Sequence, residues 1–229
     1  MSDRARGTGT QAPVDAAVAK SHLARLPLPL RVRLLGRNAL VRLPSRAYFV
    51  HEGDPARLGL VLSGLLRCFR ATADGRELTL IWAHQGAIVG VASMVHPPSP
   101  WSFQAIADSV LLDLPIDTWG ELLRTDAAVA GLVATQYDEL LRRAVDEILI
   151  YAHGDLRRRL IVRLLELVSR SAEGGPLIAA VTQDDLARSV GATRPSVARV
   201  LQQLRAEKSI RSMYGGILVE RPESLAAQL

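Results

Sequence analysis

The middle of the chain alternates short apolar runs with turn residues. Between residues 48 and 114, runs rich in Val, Leu, Ile and Phe are separated by turns such as Ser63-Gly64 and Gln85-Gly86. Strands that recur every eight to twelve or so residues between such turns are typical of an antiparallel sandwich or roll. The clearest hairpin has Asp74-Gly75 between the apolar runs 65–69 and 78–82, because Gly tolerates the positive φ of a tight turn. The pattern predicts an all-β domain, either an antiparallel sandwich or an antiparallel β-roll.

A different periodicity follows, in which apolar residues recur at steps of three and four between residues 126 and 151. The recurring positions are Val133, Tyr137, Leu140, Ala144, Ile148 and Tyr151. Such a narrow seam is typical of a helix that pairs with another helix, which predicts a dimerisation helix. A helix packed on its own β domain is the alternative.

The pattern breaks at His153-Gly154-Asp155, a candidate hinge, and a new amphipathic helix begins with Leu156. Its arginines, Arg157, Arg158, Arg159 and Arg163, are predicted to form a solvated face. Residues 21–40 predict short helices, and the start of the chain shows no clear periodicity. We therefore expect an α+β protein with a disordered segment over 1–20, a β domain over 21–125, the dimerisation helix over 126–153 and a C-terminal domain over 154–229.

The C-terminal part contains two helix starts separated by a glycine. Thr182 can cap a first helix with Asp185 at its third position, and Gly191 allows a tight turn. Thr193 can cap a second helix, in whose first turn Pro195 breaks no internal hydrogen bond. This spacing predicts a helix-turn-helix.

The second of these helices is two-faced, and its open face can bind DNA. The residues predicted to point inward are Val197, Val200, Leu201 and Leu204, and those on the open side are Arg194, Ser196, Arg199, Gln202 and Gln203. Arginine can bond bidentately to guanine in the major groove. Residues 210–220 predict a hairpin around Gly215-Gly216, a wing that would bring Arg211 and Tyr214 near the phosphate backbone.

Composition narrows the possible partners. The chain carries 28 Lys and Arg against 23 Asp and Glu, a net charge of +5, which favours a polyanion as partner. The single cysteine, Cys68, excludes an internal disulfide and a cysteine-ligated iron–sulfur cluster. No apolar run approaches the ~18 residues of a membrane span, and the first 22 residues lack the apolar core of a secretory signal, so we expect a cytoplasmic protein.

The sequence motifs do not support an enzyme, and they leave one other class of protein as an alternative. The sequence has no P-loop, Gly-x-Ser-x-Gly elbow, His-Glu-x-x-His or dinucleotide fingerprint, so an enzyme is not expected. A regulatory module that uses the helix-turn-helix to bind another protein is the remaining alternative, and salt-dependent DNA binding would separate the two.

From about Leu23 onward, the chain resembles the CRP/FNR family of bacterial transcription regulators. The residues that carry the resemblance are Phe49-x-x-Glu52-Gly53-Asp54, Val61-Leu62-Ser63-Gly64, Asp74-Gly75-Arg76-Glu77, Gln85-Gly86-Ala87-Ile88-Val89-Gly90 and the segment 182–220. The resemblance implies a jelly-roll-like antiparallel β-roll as the sensor domain over 21–125, followed by a dimerisation helix and a winged helix-turn-helix DNA-binding domain over 154–229. It also implies a homodimer on a near-palindromic operator, contact with RNA polymerase, and an effector that reorients the DNA-binding domains about the hinge. The DNA contacts predicted in this way and from the helix pattern are Arg194, Ser196, Arg199, Thr182, Gln183, Thr193 and Gln203. Pro195 departs from the acidic residue that many members place there, so the half-site is expected to differ from the commonest one.

The resemblance also bears on the effector. Members that bind cyclic nucleotides use a Gly-Glu pair for the ribose and an Arg-Ser or Arg-Thr pair for the phosphate, because a buried phosphate needs a charged donor. Here the matching positions read Gly90-Val91 and Pro98-Ser99, so cyclic AMP is not expected to bind.

What remains at these positions predicts a pocket for an unidentified apolar or aromatic effector, or for none. The predicted lining is Ile88, Gly90, Val91, Ser99, Trp101, Tyr137, Leu141 and Ala144. Haem is an alternative, with His51, His84, His96 and Cys68 as available axial ligands. A constitutive DNA binder with a vestigial pocket also stays open, whereas a redox role for Cys68 is disfavoured because a cysteine inside a strand is more often a small buried hydrophobe.

Overall fold

The structure is a computed structural model that describes residues 8–36, 39–73, 75, 77–168 and 176–229. The chain divides into two compact units. The sensor unit comprises the residues up to Cys68 together with Ile81–Leu141, and the C-terminal unit comprises Phe69–Leu80 together with Arg142–Leu229.

Eight strands of the β-roll form two four-stranded sheets among the described residues. They are β1 (Leu40–Leu43), β2 (Tyr48–Val50), β3 (Gly59–Ser63), β4 (Leu66–Ala71), β5 (Glu77–Ala83), β6 (Ile88–Val89), β7 (Ser102–Ala105) and β8 (Ser109–Asp113). The sheet orders are β1-β8-β3-β6 and β2-β7-β4-β5, and the pairs β1–β8, β3–β8, β3–β6 and β2–β7 run antiparallel. The predicted β-roll is confirmed, and β4 and β5 are neighbours as the hairpin pattern indicated, although Asp74 lies outside the described residues.

The two sheets meet through the side chain of Phe49. A Cβ atom added to Gly59 of β3 would lie 2.8 Å from the Cζ atom of Phe49 on β2, so the absence of a side chain on Gly59 makes room for the ring. On the other side the guanidinium of Arg57 lies 4.3 Å from the ring centroid of Phe49 and its Nε atom is 3.1 Å from Asp113 Oδ1. Residues of β3, β4 and β7 are buried in consecutive runs and not in alternation, so both faces of these strands are covered.

Helices pack against the sheet that contains β3 and β8. They are α1 (Thr8–Ala19), a 3₁₀ helix (His22–Arg25), α2 (Leu28–Leu35), α3 (Val91–Val95), α4 (Ile116–Thr125) and the start of α5 (Ala127–His153). Trp119 of α4 is fully buried in this core, and its indole Nε1 donates to the backbone oxygen of Leu34 at 2.9 Å. The indole therefore buries a large apolar surface without leaving its N–H unpaired.

Helix α1 corrects the prediction of a disordered segment over 1–20. Residues 8–19 are helical, and Val14, Ala17 and Val18 are buried at the three- and four-residue spacing of one helix face. This face joins the core that contains Leu60 and Leu62 of β3. The apolar stripe is built from small residues, which is why it gives a weak sequence signal; residues 1–7 lie outside the described part of the chain.

The C-terminal unit contains a small three-stranded sheet and four helices among its described residues after α5. They are α6 (Leu156–Val168), β9 (Ile178–Ala179), α7 (Gln183–Ser189), α8 (Arg194–Ala206), β10 (Ile210–Met213), β11 (Gly216–Val219) and α9 (Pro222–Ala226), with the strand order β10-β11-β9. The predicted break at 153–155 and the predicted hairpin over 210–220 are confirmed. Strand β9 was not predicted, because two residues are too short to show a period.

Helix α5 buries its first turns and exposes apolar side chains further along. Val129, Leu132 and Val133 belong to the sensor core, so packing on its own β domain, the alternative for this helix, holds for these turns. The exposed apolar residues, here called the α5 stripe, are Tyr137, Leu141, Val145, Ile148 and Leu149, with Leu141 64% and Ile148 65% exposed. Although α5 has 27 residues, neither it nor any other helix in the described ranges is long and apolar enough to cross a membrane.

The turn between β3 and β4 gives a testable prediction, because Gly64 has a φ of +91° and faces backbone. A Cβ atom there would collide with Ser109 Oγ and lie 2.6 Å from the backbone oxygen of Asp108. At Gly53 the φ is +90°, but a Cβ atom would meet nothing within 4 Å. We expect Gly53→Ala to cost about 1 kcal/mol of the free energy of unfolding through its left-handed backbone, and Gly64→Ala about 3 kcal/mol, because overpacking adds to that strain. Urea unfolding of both variants measures the difference, and equal losses would contradict the steric argument.

Candidate DNA-binding surface

The first helix of the helix-turn-helix is held by a reciprocal cap. Thr182 Oγ1 accepts from the backbone N–H of Asp185 at 3.1 Å, and the carboxylate of Asp185 accepts from the backbone N–H of Thr182 at 3.0 Å. Asp185 is 1% exposed, and its other carboxylate oxygen accepts from Arg188 at 2.8 Å. The cap predicted from Thr182 and Asp185 is confirmed, and its buried carboxylate is fully satisfied.

The turn and the second cap also form as predicted. Gly191 adopts a φ of +61°, a conformation that favours glycine. Thr193 caps α8 and its Oγ1 accepts from the backbone N–H of Ser196 at 3.4 Å, while Pro195 lies in the first turn. The hydroxyls of Thr193 and Ser196 lie 2.9 Å apart, so both polar groups stand together at the start of α8.

Helix α8 presents one buried and one open face. Its buried residues are Val197, Val200, Leu201 and Leu204, and its exposed residues include Arg194, Arg199, Gln202 and Gln203. Ser196 is half-buried. The predicted division of the helix is confirmed, so burial of one face fixes which side chains are available for DNA.

The residues predicted to contact DNA bases or phosphates differ in their exposure and in their present partners. Arg194 Nε lies 3.6 Å from Asp184 Oδ1, but both side chains are at least half exposed, so this pair is weak and can be exchanged for a phosphate or a base. Of the predicted phosphate contacts, Gln183 is half-buried and Thr182 is exposed. The Thr182 hydroxyl also donates to Asp185 at 2.6 Å, so it is committed to the cap.

The wing is attached to the end of α8. Arg205 donates to the hydroxyl of Ser212 on β10 at 2.7 Å, and Arg211 Nε lies 3.1 Å from the Glu220 carboxylate across the hairpin. Tyr214 at the tip is fully exposed. The hairpin is therefore fixed to α8 by a hydrogen bond as well as by its buried strand residues.

One feature of the C-terminal unit departs from the sequence prediction, because Arg163 is not on a solvated face. Its side chain is 5% exposed, and it bonds the carboxylates of Glu147 and Glu166, each at 2.6 Å. Burial works to lower the pKa of Arg163, but the two carboxylates outweigh it and hold that pKa above its ordinary value. The signal was present in the sequence, since Arg163 lies three residues after Leu160 and four before Leu167, on the buried face of α6.

The other arginines of α6 differ from one another. Arg158 is exposed as predicted, whereas Arg157 and Arg159 are half-buried. Arg157 bonds Glu207 at 2.6 Å and Gln228 at 2.7 Å, which ties the start of α6 to the end of the chain. A run of like charges therefore need not share one environment, because helical geometry turns each residue by about 100°.

The residues predicted for the effector pocket fall into two groups. Ile88 and Val91 are buried in the sensor core, Gly90 is buried, and Trp101 is half-buried. The hydroxyl of Ser99 is buried and donates to the backbone oxygen of Trp101 at 2.9 Å. The remaining three, Tyr137, Leu141 and Ala144, are exposed on α5. The pocket stays a prediction, and these three side chains would need to be covered to enclose a ligand.

The residues considered as haem ligands or as a redox switch lie in different environments. His51 stacks on Tyr48 with 3.8 Å between ring centroids, and His96 is exposed. Cys68 is buried, and burial raises the pKa of its thiol far above the ordinary value, which disfavours a reactive thiolate. Across the described ranges, no three His, Cys, Asp or Glu side chains cluster as a metal site would require.

Comparisons with known proteins agree with this arrangement of parts. A family model described as a cyclic nucleotide-binding domain matches residues 40–126, and one described as a Crp-like helix-turn-helix domain matches residues 158–228. The transcriptional regulator SdrP of Thermus thermophilus is 31% identical over 168 residues, 72% of this chain and 80% of that protein. The cyclic AMP receptor protein of the same organism is 31% identical over 178 residues, 77% of this chain and 81% of that protein.

Solved structures show the same fold. FixK2 from Bradyrhizobium japonicum superposes with a TM-score of 0.76 at 22% identity, covering 84% of this chain and 97% of that chain. Together with the two family models, this order of a β-roll, a long helix and a winged helix-turn-helix defines the class of two-domain DNA-binding regulators. The chain belongs to the CRP/FNR family of transcription regulators, which are DNA-binding proteins and not enzymes.

Proposed function

We propose that this regulator acts as a cytoplasmic homodimer that binds a near-palindromic DNA operator and contacts RNA polymerase. The observation that carries the proposal is α8, which exposes Arg194, Arg199 and Gln203 while its other face is buried. Arginine and glutamine side chains on one helix face can bond base edges in the major groove. The net charge of +5 favours association with the phosphate backbone.

The α5 stripe supports the homodimer. Leu141, Ile148 and Leu149 are each more than half exposed, an arrangement that costs solvation free energy in a lone chain. Their spacing places them with Tyr137 and Val145 along one side of the helix, which suits pairing with the same helix of a second copy. A symmetric dimer would give two recognition helices for the two halves of a palindrome.

The effector of this regulator is proposed to be a small molecule other than cyclic AMP. One relative is a cyclic AMP receptor protein, but here Val91 and Pro98 stand where an acidic residue and an arginine would be needed. The hydroxyl of Ser99 is already bonded to the backbone, which removes the other expected phosphate ligand.

Replacing Arg199 by alanine tests the recognition helix. We expect Arg199→Ala to weaken binding to the best operator, selected from random duplex DNA, by about 1 to 3 kcal/mol and to relax discrimination at one base pair. Arg158→Ala is the matched control, because it removes the same charge from an exposed position on α6. Both are measured by fluorescence anisotropy on the operator and its single-base variants, and an unchanged base preference in Arg199→Ala would refute the assignment.

Salt dependence separates DNA reading from protein binding by the same surface. The wild-type protein should lose affinity for its operator by orders of magnitude between ~50 and ~200 mM salt, because each phosphate contact releases counterions. A protein that selects no DNA sequence and shows no such dependence would favour a protein partner instead.

Replacing Leu141 by glutamate tests the homodimer. The Leu141→Glu variant should shift in sedimentation from the dimer mass to the 24.8 kDa of one chain and lose at least about a hundredfold in operator affinity, since the two half-sites are no longer bound together. Arg143→Gln makes the same change in net charge on an exposed position away from the stripe, and it should remain dimeric. A dimeric Leu141→Glu protein would place the interface elsewhere.

Calorimetry tests the effector proposal. Cyclic AMP titrated into the purified dimer should give no binding heat and leave operator affinity unchanged, because a buried phosphate would lack a charged partner. The absorption and native mass spectra of the same preparation identify any co-purifying molecule, including haem. Stoichiometric cyclic AMP binding that raises operator affinity would contradict the proposal.

A further inference from the structure

Arg163 joins α6 to the end of α5 through a buried ion pair. Its Nη2 atom is 2.6 Å from Glu147 Oε1 on α5, and its Nη1 atom is 2.6 Å from Glu166 Oε2 one turn further along α6. Burial raises the pKa of the Glu147 carboxyl, although Arg163 opposes that shift. A guanidinium that is almost fully buried loses its pairing only at a high cost, because water cannot replace the lost carboxylate.

The same cluster reaches the end of the first helix of the helix-turn-helix. Tyr151 of α5 donates from its hydroxyl to the backbone oxygen of Ser189 at 3.1 Å, and Arg163 Nη2 lies 3.5 Å from that oxygen. Arg159 donates to the backbone oxygen of Val190 at 3.2 Å while its guanidinium lies 5.1 Å from the Tyr151 ring centroid. These carbonyls lie at the C-terminal end of α7, where they have no helical partner and attract cations.

These contacts join residues on the two sides of the helix break at 153–155. They hold α6 and α7 in a fixed orientation to the end of α5. Glu147 and Tyr151 precede the break, whereas Arg159, Arg163 and Ser189 follow it. Charge pairing, a hydrogen bond and a cation–π contact would all have to break before α6 and α7 could turn against the last two turns of α5. The residues that make these contacts all belong to the C-terminal unit, which contains α5 from Arg142 onward and also Phe69–Leu80.

We propose that Arg163 is a positioning residue for operator binding. Arg163 holds α7 to the end of α5, so that α5 sets the spacing of the two half-sites that the dimer binds. On this proposal any pivot lies in α5 before Glu147 and not at the break 153–155, which is where the sequence suggested a hinge. The inference rests on the proposed dimeric DNA binding. It assigns a role in specificity to a side chain that is almost fully buried.

The consequence is a particular dependence on the length of the operator. Half-sites of a dimeric reader lie about one helical turn, or 10 to 10.5 base pairs, apart, so each inserted base pair rotates one half-site by about 34° around the DNA axis. A rigidly held pair of recognition helices can follow that rotation only by deforming the DNA. If the contacts of Arg163 were lost, the two recognition helices could follow that rotation with little loss of binding free energy.

The test compares operators whose central spacer is changed by one or two base pairs. We expect the wild-type dimer to lose about tenfold or more in affinity for one added base pair, the equivalent of a modest DNA deformation. In Arg163→Gln this loss should shrink to about threefold or less, while the preference for each base within a half-site is kept. Arg158→Gln, the same substitution at an exposed position of α6, should behave as the wild type.

Two milder variants keep the test decisive if Arg163→Gln does not fold. Tyr151→Phe removes one hydroxyl bonded to Ser189, and Glu147→Gln removes one charge bonded to Arg163; both should reduce spacing discrimination in folded, dimeric protein. Folded variants that keep the full wild-type spacing dependence would overturn the role of Arg163 alone. A wild-type protein that selects no operator would overturn the proposed function, and this inference with it.

Discussion

A single unbroken helix must satisfy two different sets of contacts, and the rest of the structure depends on how α5 divides them. Its first turns bury Val129 and Leu132 in the sensor core. Its last turns place Glu147 and Tyr151 against polar groups of the C-terminal unit. The apolar side chains left between and around these contacts are exposed, and only another surface can cover them. Apolar burial therefore holds one end of the helix and charge pairing the other, while the stripe stays exposed.

Where structure is decided by neighbours in the sequence, it could be predicted. Thr182 and Asp185 form their reciprocal cap three residues apart, Gly191 takes the conformation that suits glycine, and the inward and outward faces of α8 follow the period of the helix. The β-roll was predictable for a similar reason, since turn residues mark where each strand ends. The same local rules predicted which side of α8 is exposed, and the contacts of that side with DNA stay a prediction.

Where structure is decided by distant partners, the sequence was insufficient. The spacing of Arg163 from Leu160 and Leu167 places it on the buried face of α6, but the sequence does not show that Glu147 of α5, sixteen residues away, becomes its partner there. Helix α1 acquires its order from a core supplied by β3, and the short strand β9 exists only through its pairing with β11. The predicted effector pocket depends most on distant partners, because Tyr137 and Leu141 are exposed in a single chain and their surroundings depend on what covers them.

The only cysteine of the chain is Cys68, and its burial has a practical meaning. In labelling with maleimides or thiol-reactive nitroxides the thiolate is the nucleophile that attacks the reagent, and a buried thiol with a raised pKa supplies little thiolate near neutral pH. Native Cys68 therefore reacts little with such reagents, so that an introduced cysteine can be labelled selectively. A cysteine introduced at a fully exposed position such as Tyr214 would carry one probe per chain, and the distance between the two probes of a dimer would report directly on the separation of the wings.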